Sequence, residues 1–470
     1  IMPSLVGSEM CIRDRGMTMT FGKVPLITEV LDYNSPNIPR DEVSVIRDFI
    51  MKELTEAAAI LPEKYTGGYP NEKGRITKYA CLSLKARAAL YFGDYALAET
   101  TAKEVMDKGG FSLFKISSLS EAQKKEAEEM SLYIDFEEKG IDKDEFIKGM
   151  FNYEALWHTE NANPDNPEYI MTRQYAASSW DYQDMTRYTS MRPNQLGGWS
   201  SVAPTQNLVD AYWGVDGHSV PQLPTPEERA KAYNQIKADL DAYQKPEGEA
   251  KFIAFCQEKI KNGTLKDYKY IQEFRNRDSR MYVSILMPFK SWYESNYGDK
   301  FVYEWIKNGN NESKTGFNFR KMLSLENDAN GDGQATGDYP CIRYAEILLI
   351  YAEAHTQTTG YDAATEAALN QLRDRCGMPD VPSGLSKEEG LKLIQNERRI
   401  ELAGEGFRGD DMTRYSDDYW KEHMNNVPIM TPDGDTELTM KWSSRMRLKP
   451  IPQTAIDLNP LLAGDQNPGY

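Results

Sequence analysis

The sequence predicts a mainly α protein: helical hairpins stacked as an α–α superhelix, with a large irregular insertion that contains a few short strands. Three observations carry this reading. Apolar and small residues recur at helical spacing towards both ends of the chain, a pattern of small and aromatic residues around a turn glycine appears twice, and the periodicity lapses between the two copies.

The first scaffold helix is DEVSVIRDFIMKELTEAAAILP, with Asp41 expected as its cap and Pro62 as its terminator. RITKYACLSLKARAALYFG then runs into DYALAETTAKEVMDKGG. Here Ala88, Tyr91, Gly93, Tyr95 and Ala98 reproduce part of the small–aromatic–glycine–aromatic–alanine pattern of tetratricopeptide hairpins.

The second copy lies in the run from Arg343 to Tyr415. From Arg343 to His355, Ile347, Leu348, Ile350 and Tyr351 recur with Ala345, Ala352 and Ala354, which makes a helix able to approach a neighbour closely. A Gly360-Tyr361 turn leads to Asp362 as N-cap and to a second helix through Leu369 and Leu372, which stops at Gly377 and Pro379. Tyr351, Gly360, Tyr361 and Ala364 repeat the pattern with a slightly longer turn. A lone hairpin of this kind cannot bury its apolar face, so neighbours must stack. Residues 17–110 and 339–470 are therefore read as a helical repeat scaffold in one compact body, and 111–338 as an irregular, aromatic-rich ligand-binding subdomain. Residues 1–16 have none of the features of a signal peptide and read as a non-native leader, outside the fold argument.

Charge and cysteine usage narrow the function classes. A formal charge of -17 over 470 residues repels phosphate backbones, and no basic stripe with interleaved aromatics is present, which argues against a nucleic-acid partner. Cys11, Cys81, Cys256, Cys341 and Cys376 are scattered without CxxC spacing, so neither a zinc site nor a disulfide framework is indicated. A mean hydropathy of -0.64, with no apolar run of about 18 residues, predicts no spanning helix. No cofactor is expected.

Six of the eight tryptophans fall between residues 111 and 338: Trp157, Trp180, Trp199, Trp213, Trp292 and Trp305. Tyr182, Tyr188 and Tyr293 accompany them. Aromatic faces of this kind stack on the apolar face of a sugar ring while nearby amides, carboxylates and arginines hydrogen-bond its hydroxyls. Trp213, in PTQNLVDAYWGVDG, is assigned to the core with Leu208, Val209 and Tyr212, behind a Pro-Thr cap. Trp157 ends FNYEALW, which alternates like a strand and is also assigned to the core. Trp199 beside Gly197-Gly198, Trp180 in AASSWDYQD and Trp292 in FKSWYES lie in polar settings, where surface stacking and core packing are both open. The candidate ligand-binding residues are therefore Trp199, Trp180, Trp292, Tyr182 and Tyr293. NRDSRMYVSILM and TGFNFRKML read as structural, with Asp278 and Arg280 fixing a turn before a strand of alternating Met281, Val283 and Ile285.

DANGDG places Asp328, Asn330 and Asp332 at the alternate spacing of a calcium loop, followed by Gly333. The last ligand position would be Tyr339, which cannot chelate, so a polar surface loop is the preferred reading and no metal is assigned. Glu397, Glu401 and Glu405 share one helical face, and a glycosidase needs two carboxyls about 5 to 10 Å apart, one with a raised pKa. Arg398, Arg399, Arg408 and Arg414 are interleaved with Glu405, Asp410 and Asp411, which predicts an ion-pair network and lowered pKa values. The four histidines share no ligand or triad spacing. No catalytic residue is assigned.

The run RYAEILLIYAEA, NQLRDRCGMP and ERRIELAGEGFRGDDMTRY, with LKPIPQTAIDLNP and QNPGY, closely resembles the SusD/RagB family of cell-surface nutrient-binding lipoproteins, and the resemblance extends from near Met17 to Tyr470. It implies a protein tethered by lipid to the outer leaflet of the outer membrane in Bacteroidota, which binds oligosaccharide and hands it to a TonB-dependent barrel (SusC-like). Peptide capture, as in the RagB branch, and glycoside hydrolysis are the alternatives. Members carry a lipoprotein signal, a lipidated cysteine and further repeat helices before the matching region, so the chain reads as N-terminally truncated. Cys11 is not read as the lipidation site, because no apolar run precedes it. The motifs identify the family and not the ligand.

Overall fold

The computed structural model describes residues 13–32, 34–65, 74–175, 193–293, 301–323 and 337–470. Helices α1 (Val43–Ile60), α2 (Lys78–Tyr91) and α3 (Tyr95–Lys108) pack in sequence, α1 on α2 and α2 on α3. Asp94 caps α3 by accepting the Leu97 N–H, and Thr77 caps α2 through the Ala80 N–H. The Asp41 carboxylate does not cap α1 as expected. It accepts the Leu26 N–H at 2.8 Å, its own N–H donates to the Val24 carbonyl, and Glu42 occupies the cap position without a side-chain hydrogen bond. A carboxylate next to a helix start serves whichever free N–H reaches it first, and here a distant strand-like segment supplies it.

The insertion divides into named elements. These are α4 (Glu121–Glu129), α5 (Lys143–Ala155), β1 (Tyr169–Arg173), α6 (Gln206–Ala211), α7 (Pro226–Ala242), α8 (Lys251–Lys261), α9 (Ser279–Ser284), β2 (Ile285–Leu286), β3 (Ser291–Trp292), β4 (Phe301–Val302), β5 (Asn318–Phe319) and β6 (Tyr339–Arg343). The scaffold then resumes with α10 (Tyr344–Thr358), α11 (Ala363–Arg375), α12 (Lys387–Glu401) and α13 (Arg408–Arg414), followed by the hairpin β7 (Pro428–Met430) and β8 (Thr436–Thr439).

The second hairpin stacks directly on the first. Helix α10 packs on α3 and α2 on one side and on α11 and α12 on the other, so the superhelix continues across the insertion as though the chain had not left it. The small residues do what their size predicts: Ala86, Ala88 and Ala89 of α2 and Ala345, Ala352 and Ala354 of α10 are fully buried at these contacts. Arg87 of α2 forks onto Glu346 of α10, Nε to Oε1 at 2.7 Å and Nη2 to Oε2 at 2.5 Å, a bidentate bond that fixes the register of one repeat against the next. Asp362 caps α11 as expected, accepting the Ala364 and Thr365 N–H groups.

Strand β1 returns the insertion to the scaffold by pairing antiparallel with β6, Tyr169 opposite Arg343 and Arg173 opposite Tyr339. The remaining strands make three further two-stranded ribbons, β2 with β5, β3 with β4 and β7 with β8.

Two segments differ from the sequence expectation. FNYEALW belongs to helix α5 and the turn after it; every residue from Gly149 to Trp157 is buried, so there is no polar face to reveal a 3.6 period. Met281 and Val283 lie in the short helix α9, and only Ile285 and Leu286 form a strand. Gly149 shows why α5 sits so deep: a Cβ there would lie 2.2 Å from the Cys376 carbonyl carbon, so the helix and the end of α11 approach as only glycine allows.

Candidate ligand-binding surface

Trp199 is the described tryptophan most open to solvent, at 56 %. Its loop is built rigidly from below. The Pro193 carbonyl accepts the N–H groups of both Leu196 and Gly198 at 3.0 Å, Leu196 is buried in the core, and Gly197 turns the chain at φ 80. Gln195 Oε1 accepts the Glu304 N–H at 3.1 Å, which ties the loop to the segment leaving β4. An indole held out on an anchored loop keeps a flat apolar face available without losing much further entropy on binding.

Tyr293 follows β3. It is half-buried, and its hydroxyl donates to Glu129 Oε1 at 2.5 Å. Burial and this charged acceptor both push its pKa up, so the ring stays a neutral phenol. Tyr293 lines an open groove of 720 Å³ whose other walls include Phe114, Ser118, Gln123, His158 and Asn161, a mixture of hydroxyls, amides and ring faces. The Ser118 and Asn161 stretches carried only turn punctuation in the sequence, as in NANPDNPEY, and their place in a groove depends on where α4 begins and α5 ends.

Trp292 is corrected: it is not a surface residue. It is 1 % exposed, with the Arg320 guanidinium 4.9 Å above its ring. The polar neighbours that suggested a loop are themselves inside, where Lys290 Nζ meets Glu126 Oε1 at 2.6 Å and Arg320 bridges Glu126 and Glu154. Trp180 and Tyr182 lie outside the described residues, as does the Asp328–Asn330–Asp332 loop. Trp157 and Trp213 are core residues, 1 % and 8 % exposed, and the Trp213 Nε1–H donates to Glu397.

Glu397, Glu401 and Glu405 are fully committed, but only Glu397 and Glu401 lie on α12; Glu405 sits in the turn after it, so the expected shared helical face ends at Glu401. Glu401 receives Arg343 Nη1 at 2.8 Å, Arg280 Nη1 at 3.0 Å and Arg375 Nη2. Glu405 receives Arg343 and Lys321 at 2.6 and 2.7 Å. Burial alone would raise both pKa values, but the attraction of these cations outweighs it and holds both carboxyls below their ordinary range. The pairing partners are in part those read in the sequence. Arg398 and Arg414 take Asp411, Arg399 takes Asn207, Arg408 takes the Tyr419 hydroxyl, and Glu405 is served by Arg343 and by Lys321. None of the three glutamates is available as a proton donor to a cleft. Among the described residues no group of side chains could hold a metal ion, and no helix is long and apolar enough to cross a membrane.

The family profile described as the SusD family matches residues 167–470, well over half of the chain. The chain belongs to the SusD family. A SusD-like protein from Bacteroides fragilis shares the fold over 99 % of this chain and 79 % of its own, with a TM-score of 0.72 and 24 % identity. A second structure from that organism, described as a SusD-like carbohydrate-binding protein, matches 98 % of this chain and 79 % of its own, with a TM-score of 0.65 and 21 % identity. SusD-like protein P2 of Formosa agariphila is 29 % identical over 148 residues, a match that spans 30 % of this chain and 28 % of that relative's length. In this SusD-family chain the motif-bearing run from Arg343 to Tyr415 is scaffold, and the open aromatic surface lies outside it.

Proposed function

We propose that this SusD-family protein binds oligo- or polysaccharide at the cell surface and passes it, without cleaving it, to a TonB-dependent outer-membrane barrel, while tethered to the outer membrane by lipid. The observation that carries the binding reading is Trp199, a solvent-facing indole on a loop whose own backbone is anchored. The groove beside Tyr293 offers hydroxyl and amide groups of the kind that hydrogen-bond a sugar. The similarity to a carbohydrate-binding SusD-like structure supports the same ligand class. The non-catalytic reading is supported by the Glu397, Glu401 and Glu405 carboxylates, which are buried and ion-paired where a glycosidase would keep one protonated in a cleft.

Affinity electrophoresis and calorimetry against a panel of polysaccharides test the binding. Retardation by at least one glycan, with no release of reducing ends on long incubation, is expected. Failure to bind any glycan, or copurification with peptides, would count against it. Pull-down of a barrel partner tests the delivery step.

A further inference from the structure

A second pocket, of 140 Å³ and lined by neither Trp199 nor Tyr293, lies between α6, the start of α7, residues 315–317 and the β7–β8 hairpin. Its polar side is a partly buried ion-pair relay. Arg229 sits between two carboxylates, Nη2 to Asp210 Oδ1 at 2.8 Å and Nε to Glu273 Oε1 at 2.6 Å, and Gln206 Nε2 donates to the same two oxygens at 2.8 and 2.9 Å. The second oxygens, Asp210 Oδ2 and Glu273 Oε2, accept no hydrogen bond from the described residues. Tyr270 lines the same pocket, is 4 % exposed, and its buried hydroxyl has no hydrogen-bond partner. The opposite side is apolar, made by Phe317, Met430 and Pro432.

The hairpin that closes the pocket is held in place at its turn. Lys307 Nζ bridges Asp433 and Asp435 at 2.5 and 2.7 Å, and Asn234 Nδ2 donates to the Asp433 carbonyl. An orphaned buried phenol is costly to keep dry, at roughly 1–3 kcal/mol, unless a bound group completes it.

We propose that this pocket is a binding site for a single neutral pyranose ring, separate from the open aromatic surface. A cavity of about 150 Å³ admits benzene, so a pocket of 140 Å³ takes at most one ring. Two carboxylates against one guanidinium leave no net positive charge for a uronate or phosphate. Sugar hydroxyls both donate and accept, which suits the carboxylates and the unpartnered phenol. The Phe317 and Met430 side covers the C–H face of the ring. Because the volume holds one ring, the site takes a monosaccharide or a chain end, not a chain passing through.

Calorimetry and saturation-transfer NMR on the full chain with glucose, galactose, mannose and xylose test this. At least one sugar is expected to bind. Gln206→Ala and Asp210→Asn are each expected to weaken it about tenfold or more, whereas Trp199→Ala leaves it unchanged. Met430→Trp, which fills the pocket from its apolar side, should abolish it; a melting temperature equal to the parent's for Gln206→Ala or Met430→Trp shows that the loss is not unfolding. No binding by any of the four sugars, binding that only Trp199→Ala removes, or a preference for glucuronate or benzene over the neutral sugars would overturn the proposal. Polysaccharide retardation that persists in the Gln206 and Met430 variants separates this site from the aromatic surface.

Discussion

Arg280 Nη1 lies 2.7 Å from Glu397 Oε1, and neither side chain reaches solvent. One comes from the short helix α9 of the insertion and the other from α12 of the repeat scaffold, so this bond joins the two parts of the chain. Arg280 also forks onto Asp278 and reaches Glu401, while Glu397 takes Arg373 at 2.6 Å. Removing one member strands the charge of its partners. Glu397→Ala is expected to destabilise the protein by about 3–5 kcal/mol, read as a shift in the urea midpoint; an unchanged midpoint would show that the network carries no structural weight.

Acid should undo the same network. Glu126, Glu401 and Glu405 have folded pKa values below the ordinary 4.5, Glu126 at about 2, because their cation partners outweigh the cost of burial. A depressed carboxyl contributes stability that is fully present above pH 4.5 and lost as pH falls through the folded value. The melting temperature is therefore expected to hold near neutrality and to drop progressively from about pH 4.5 towards 2. A flat profile across that range would contradict the pairing.

The opposite sign applies to His355, which links the two stacked hairpins. Its Nδ1 lies 2.8 Å from Glu99 of α3 and its Nε2 lies 3.1 Å from Asp362, the cap of α11. Burial lowers its pKa, yet the two carboxylates more than offset this and raise it above 6.5. Its contribution to stability is present below pH 6.5 and fades as pH rises through the folded value. His355→Gln should remove that alkaline decline while leaving the acid limb intact, as followed by thermal melts across the range.

Trp199 and Trp292 should separate binding from folding. Trp199→Ala is expected to weaken glycan binding about tenfold or more with the melting temperature unchanged. Trp292→Ala removes a fully enclosed indole and should cost about 3–5 kcal/mol of stability. Equal behaviour of the two variants in both assays would refute the assignment of one to the surface and the other to the core.

Much of the scaffold was legible because its signals are local. Asp362, Gly377 and the alanine-rich faces of α2 and α10 act within a turn or two of their own position, and their consequences follow from helix geometry. The candidate surface was only partly legible. Polar neighbours made Trp292 look like Trp199, but Lys290 and Arg320 are neutralised by Glu126 from far along the chain, and no local pattern announces a buried cation.

The sequence by itself determined the family and the repeat hairpins, since these depend on residue type and spacing along the chain. Tertiary structure alone decided which partners Glu397, Glu401 and Glu405 take, which described tryptophan remains in solvent, and that Arg229, Tyr270 and Phe317 enclose one pocket. Burial is a property of what packs above a residue, and here that covering arrives from segments a hundred residues away or more: Glu126 reaches Arg320 across 194 positions, and Arg87 reaches Glu346 across 259.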